Sequence, residues 1–211
     1  GRKTAVDLGE TKNIVGSFWQ PKLVIVDPST LATLPRRQYI NGLAESVKAS
    51  LLADPELFAI FEKGDIDEQI SEIIYRSLRF KKSIVEQDET EHGMRKALNF
   101  GHTIGHAVER YFHYSTFTHG EGVAIGMSLL TEQTEKMGLT EKGTASRLIR
   151  VLHKLSLPTS IGVPAEDLIP QIMHDKKRRG KKITLVVLKK IGEAELLTIP
   201  TDELSRYIVT E

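Results

Sequence analysis

Two glycines four residues apart, Gly101 and Gly105, each stand directly before a histidine, His102 and His106. The spacing predicts a helix from Lys96 to Phe112 with both imidazoles on one face, because residues four apart sit one above the other. Glycine inside a helix costs roughly 1 kcal/mol against alanine, so two of them beside two histidines require a reason. One strip of the helix lacks side chains, so another backbone or a ligand can come close there. Imidazole is the commonest metal ligand among side chains, and His119 follows at the mouth of another helical segment, His119-Gly120-Glu121.

The chain has no cysteine, so disulfides and thiolate metal sites are excluded and any metal must be held by His, Asp or Glu. That composition is consistent with a reducing cytosol, and a cytoplasmic location is expected. At 211 residues the chain can bury a sizeable core as one domain or two small ones. A net charge of +1 gives no global reason to expect a nucleic-acid or membrane partner. No apolar run approaches the ~20 residues of a membrane span, and no signal peptide opens the chain.

Residues 1–20, rich in Gly, Lys and Thr, read as a loop with one turn of helix. Leu23-Val24-Ile25-Val26-Asp27 reads as a short buried strand closed by Asp-Pro. After Pro35 the apolar residues Ile40, Leu43, Ala44, Val47, Leu51 and Leu52 recur at helical steps, and Asp54-Pro55 punctuates the end. Further helices are expected over Asp67 to Ile84, Gly120 to Met137, Thr140 to Leu155 and Ala165 to Met173. Ile183 to Leu188 and Glu195 to Ile199 read as a β-hairpin. The expected fold is mainly α: a helical bundle with a short N-terminal strand and a C-terminal β-hairpin.

A catalytic zinc site has three protein ligands and one open position, and two histidines with a glutamate is one known set. Glu45 is a candidate carboxylate because it sits in the apolar stretch Gly42-Leu43-Ala44-Glu45-Ser46-Val47, where an unpaired charge is costly. Lys48 shares its helix face, so a surface ion pair is the competing reading of both. Incidental helix histidines are the competing reading of His102 and His106. Arg95 and Asn99 precede His102 by seven and three residues and share its face on a continuous helix, and an arginine there suits a phosphate or carboxylate. Lys3, Lys12, Lys81, Lys176 and Lys177 are scattered cations. The basic run Lys176 to Lys182 lacks interleaved aromatics and precedes a hairpin, so a solvated turn accounts for it better than a nucleic-acid patch. Neither G-x-G-x-x-G nor a P-loop occurs.

Taken together these stretches resemble the 3-dehydroquinate synthase family, within the sugar-phosphate cyclases related to iron-containing alcohol and glycerol dehydrogenases. The resemblance is carried by Lys3-Thr4-Ala5-Val6-Asp7 with Lys12-Asn13, Gly16-Ser17-Phe18-Trp19-Gln20-Pro21 and Asn41 to Lys48. It continues through Asp88 to Arg95, Leu98-Asn99-Phe100-Gly101-His102-Thr103-Ile104-Gly105-His106, His119-Gly120-Glu121 and Asp175-Lys176-Lys177. It implies that Glu45, His102 and His119 hold zinc or cobalt, while His106 faces the substrate. Lys3, Asn13, Lys48, Lys81, Arg95, Asn99 and one of Lys176 or Lys177 would grip the substrate, with Lys12 near the NAD cofactor.

The activity so implied converts 3-deoxy-D-arabino-heptulosonate 7-phosphate to 3-dehydroquinate and phosphate. It runs through transient oxidation by NAD, phosphate elimination, re-reduction and an intramolecular aldol closure. Members of the family are two-domain and commonly dimeric. The Gly-rich nucleotide-binding half lies outside this chain, and Arg2 stands where a second glycine of a Gly-Gly-Lys motif is expected. Residues 1–30 are therefore expected to be the remnant of that half and 31–211 the helical metal- and substrate-binding domain, without turnover alone. Two other readings stay open: another cyclase or metal-dependent polyol dehydrogenase, and a non-catalytic helical metal-binding module.

Overall fold

The computed structural model describes residues 3–8, 11–89, 93–176 and 181–209; for residues 3, 7, 11–13 and 174–176 only the backbone is described. Arg2, the stretch Thr90-Glu91-His92, Lys177 and most of the basic run lie outside the described residues. The chain opens on an antiparallel hairpin, β1 (Lys3–Leu8) and β2 (Thr11–Phe18), where a loop was expected. The run Leu23 to Val26 forms no strand, and Leu23, Val24 and Ile25 are exposed. A strand needs a ladder partner. β1 and β2 supply one to each other, whereas no described strand pairs with the later run.

Helices make up most of the rest, and local signals set their ends. α1 (Arg36–Ala53) follows Pro35 and stops at Asp54, whose side chain accepts from Leu57 N–H and so caps α2 (Pro55–Lys63). α3 (Ile70–Gln87) starts three residues later than its periodicity suggests. The single helix expected from Lys96 to Phe112 is two pieces: a 3-10 turn over Met94–Asn99, then α4 (His102–Tyr111). Gly101 separates them with φ +76°, a left-handed conformation that ends a right-handed run. α5 (His119–Lys136) opens on a capping box in which Thr118 accepts from Glu121 N–H and the Glu121 carboxylate accepts from Thr118 N–H. α6 (Thr144–Lys154) begins after Gly143, and α7 (Ile169–Lys176) follows a 3-10 turn over Ala165–Leu168. The expected late hairpin is β3 (Lys182–Lys190) and β4 (Glu193–Pro200), turning at Ile191-Gly192.

The core runs through α1, α2, α4, α5 and β3, with Phe58, Phe61, Phe100, Leu51, Ile104 and Met127 fully enclosed. Two glycine contacts fix the geometry that matters. A Cβ on Gly105 would sit 2.9 Å from the Gly122 carbonyl carbon, so α4 and α5 cross backbone to backbone. A Cβ on Gly120 would collide with the Asn41 main chain, so α5 also starts hard against α1. Asn41 reinforces that second contact by accepting from Gly120 N–H. The side-chain-free strip expected of the Gly101/Gly105 pair is thus occupied by another helix.

Candidate functional site

The two glycine contacts bring three helices to one point. Glu45 comes from the middle of α1, His102 is the first residue of α4, and His119 is the first residue of α5. Glu45 Oε1 lies 3.5 Å from His102 Nε2 and 3.8 Å from His119 Nε2. Part of the Glu45 side chain reaches the surface, but Oε1 is buried and finds no hydrogen-bond donor among the described residues. A buried carboxylate oxygen left in that state is costly unless a cation meets it. Donor atoms about 2.1 Å from a tetrahedral ion stand about 3.4 Å apart, close to these spacings. The set of two imidazole nitrogens and one carboxylate oxygen suits zinc or cobalt.

His102, His106 and His119 also hold ring nitrogens within 4.8 Å of one another, so an all-imidazole set is a second possibility on distance alone. The Glu45 set accounts for more, because it satisfies the orphaned oxygen and uses the two less exposed rings. His106 is exposed, with its ring centroid 5.4 Å from that of His102 and 5.7 Å from that of His119.

Each inward ring is tethered by its far nitrogen. His102 Nδ1 lies 3.1 Å from the Phe100 carbonyl, and His119 Nδ1 lies 3.2 Å from Glu109 Oε2. Burial, helped by the nearby Lys48 charge, pushes the His102 pKa down to about 3, so this ring is neutral with its lone pair available. Burial alone would raise the Glu45 pKa, but the neighbouring positive charge, Lys48 first, outweighs it and the net shift is downward. Lys48 itself is lowered, by burial first.

Lys48 Nζ donates to the second oxygen of Glu45 at 2.7 Å and is buried. The ion pair read from the sequence is therefore present, with its lysine end buried in the site and its glutamate end partly exposed. A cavity of about 500 Å³ opens beside it, lined by Glu45, Lys48, Ser77, Lys81, Arg95, Asn99 and His102 among others. Arg95 and Asn99 reach it although no continuous helix joins them to His102. The guanidinium of Arg95 donates to the Glu89 carbonyl at 2.7 Å, and its main-chain N–H donates to Asp88 Oδ2 at 3.0 Å, which sets its direction.

Of the expected residues, Glu45, Lys48, Lys81, Arg95, Asn99 and His102 thus share one cavity wall, with His106 and His119 alongside. Lys3, Lys12 and Asn13 lie on β1 and β2 and Lys176 ends α7, but their side chains are outside what is described, as is all of Lys177. Three contributors went unread in the sequence. Glu109 follows His102 by seven residues, a spacing that shares a helix face and could have shown it. Arg37 grips Glu121 through two hydrogen bonds of 2.9 and 2.7 Å, fixing the start of α5 beside His119. Ser77 Oγ, on the cavity wall, is buried with no described partner, and nothing in its sequence context marks it.

The family model for the 3-dehydroquinate synthase C-terminal region matches residues 42–178, and that for the N-terminal region matches residues 1–41. The chain belongs to the 3-dehydroquinate synthase family. A 3-dehydroquinate synthase of Clostridium acetobutylicum is 44% identical over 99% of this chain, and one of Enterococcus faecalis is 42% identical over all of it. The chain spans 60% of the length of each of these relatives. Among solved structures, a 2-epi-5-epi-valiolone synthase of Streptomyces hygroscopicus with NAD+ and Zn2+ bound superposes with a TM-score of 0.85 at 27% identity, covering 97% of this chain and 59% of that one. A 2-deoxy-scyllo-inosose synthase shares the fold, with a TM-score of 0.80 at 24% identity over 99% of this chain and 62% of that one. The mainly helical bundle expected from the sequence is the architecture of this family.

Proposed function

We propose that this chain carries the metal- and substrate-binding machinery of a 3-dehydroquinate synthase, acting on 3-deoxy-D-arabino-heptulosonate 7-phosphate to give 3-dehydroquinate and phosphate. The observation that carries the reading is the orphaned Glu45 oxygen facing two tethered imidazoles, at the edge of a cavity walled by Lys48, Lys81, Arg95 and Asn99. Glu45, His102 and His119 would hold zinc or cobalt, which as a Lewis acid polarises a hydroxyl or carbonyl oxygen. NAD would supply hydride chemistry that no side chain can.

The protein's own groups supply the rest. Lys48, Lys81 and Arg95 put three cations on one wall, matching a substrate with a phosphate and a carboxylate, and the Asn99 amide can bond a ring hydroxyl. Holding the phosphate fixed also positions its oxygens to take a proton from the substrate's own carbon skeleton. His106, exposed beside the cavity, is placed to accept a proton from a hydroxyl oxygen. Lys3, Asn13 and one of Lys176 or Lys177 complete the grip in this reading, with Lys12 beside the cofactor. We group residues 1–30 with the nucleotide-binding part of the family and 31–211 as the helical domain. The exposed apolar residues Phe18, Trp19, Leu23, Val24 and Ile25 support this division, since such a face marks a contact surface. Among the described residues no helix is long and apolar enough to cross a membrane, and we place the enzyme in the cytoplasm, as a homodimer.

The test is phosphate release by the full-length protein given this substrate, NAD and zinc or cobalt. Release of one phosphate per dehydroquinate formed is expected, and no release from a metal-loaded, folded protein sinks the proposal. The likeness to a 2-epi-5-epi-valiolone synthase favours a second reading, a cyclase of another sugar phosphate. Preference for a seven-carbon ketose phosphate lacking the carboxylate would decide for it.

A further inference from the structure

Glu109 is a carboxylate almost wholly enclosed in the protein, with 3% of its surface exposed. It sits on α4, and its Oε2 approaches His119 Nδ1 on α5 at 3.2 Å. Its Cγ lies against α5 at Gly122, where an added Cβ would stand at an ordinary contact distance of 3.5 Å. A buried carboxylate is retained at a cost unless it is bonded, and this one is aimed at the far nitrogen of a ring whose near nitrogen faces Glu45.

We propose that Glu109 is the positioning residue that sets the tautomer of His119. As a carboxylate it can only accept, so Nδ1 must carry the proton and Nε2 is left with its lone pair directed toward Glu45 and His102. His102 obtains the same result from the Phe100 carbonyl. The two imidazoles are thus held in one tautomer by different acceptors, a neutral carbonyl for His102 and an anionic carboxylate for His119. The anionic partner also raises the basicity of the ring it holds. The consequence for metal affinity rests on the metal site proposed above, whereas the tautomer assignment stands without it.

Two measurements on the chain test this. In long-range proton–nitrogen spectra of the metal-free, 15N-histidine-labelled chain, His119 is expected as the Nδ1–H tautomer. Glu109→Ala should shift it toward Nε2–H, and Glu109→Gln, which keeps an acceptor oxygen, should preserve it. In cobalt titrations followed by d–d absorption, Glu109→Ala should weaken binding about 10–100-fold, and Glu109→Gln by less. An Nε2–H tautomer in the parent overturns the proposal, and needs no variant to fold. So does a parent-like tautomer in folded Glu109→Ala. A parent with the expected tautomer that binds no cobalt overturns the metal reading and leaves the role of Glu109 standing.

Discussion

Lys48 and Glu45, one helical turn apart on α1, share a 2.7 Å ion pair that uses only one oxygen of the carboxylate. The other oxygen is turned to His102 and His119. One side chain therefore does two jobs: it neutralises a buried ammonium and turns its other oxygen to the imidazoles of the helices opposite.

That arrangement makes the pair energetically coupled. Removing one partner of a buried ion pair leaves the other charge uncompensated, which costs about 3 kcal/mol where both are enclosed. Because Glu45 is partly exposed, Glu45→Ala and Lys48→Ala are each expected to cost about 2 kcal/mol in urea unfolding of the metal-free chain. The double variant should cost less than their sum by about 1 kcal/mol or more. Strict additivity would show that the contact contributes nothing.

The two possible donor sets separate cleanly. Zinc calorimetry should find binding weakened on the order of 100-fold or more in Glu45→Ala, His102→Ala and His119→Ala, given total site energies of about 10–16 kcal/mol shared among few ligands. His106→Ala should stay within a few-fold of the parent. Equal losses in His106→Ala and His102→Ala, with Glu45→Ala unaffected, would assign the site to three imidazoles instead.

The α4–α5 crossing should be intolerant of any side chain. A Cβ on Gly126 would run into the Gly101 carbonyl, a backbone atom that cannot swing aside. Gly126→Val is expected to cost about 3 kcal/mol or more, lowering Tm by at least about 6 °C in a chain of this size. Zinc affinity should fall with it, since His102 adjoins Gly101. A variant with parental Tm and affinity would mean that the helices can part without moving the site.

Much of this is legible in the sequence because helical periodicity and short motifs are local. The spacing of Gly101, His102, Gly105 and His106 marks a close helix contact and a site together, and Thr118 with Glu121 is a capping box readable from residue types alone. What the sequence hides is non-local. The run Leu23 to Val26 has the composition of a buried strand, but composition does not supply a ladder partner, and none of the described strands does. Within the polar, glycine-bearing start of the chain, Lys3–Leu8 and Thr11–Phe18 pair as a hairpin, which their composition conceals. Gly101 fits the helical pattern as one more glycine, although a left-handed residue there divides the helix. Which of His102 and His106, four residues apart, meets the Glu45 carboxylate depends on where α1 brings Glu45. No spacing within α4 contains that information.

The acid limb of stability offers a test remote from the site. Arg147 on α6 donates to both oxygens of Glu62 on α2, at 2.8 and 2.7 Å. These hydrogen bonds hold the Glu62 pKa below its ordinary value of 4.5, against the opposing effect of partial burial. A carboxylate with a depressed native pKa stabilises the fold above its unfolded pKa, and the contribution disappears as pH falls through the native value. Parent and Glu62→Gln should therefore differ by about 0.5–1 kcal/mol at pH 7, the range for a partly exposed pair of good geometry. The gap should close as pH drops below 4.5 toward the depressed native value, so the variant has the shallower acid limb. It should also narrow in about 1 M salt, where the screening length falls to roughly 3 Å. Urea unfolding from pH 7 to pH 3 reads both effects, and a gap that widened on acidification would mean that Arg147 does not hold the Glu62 carboxyl in its charged form.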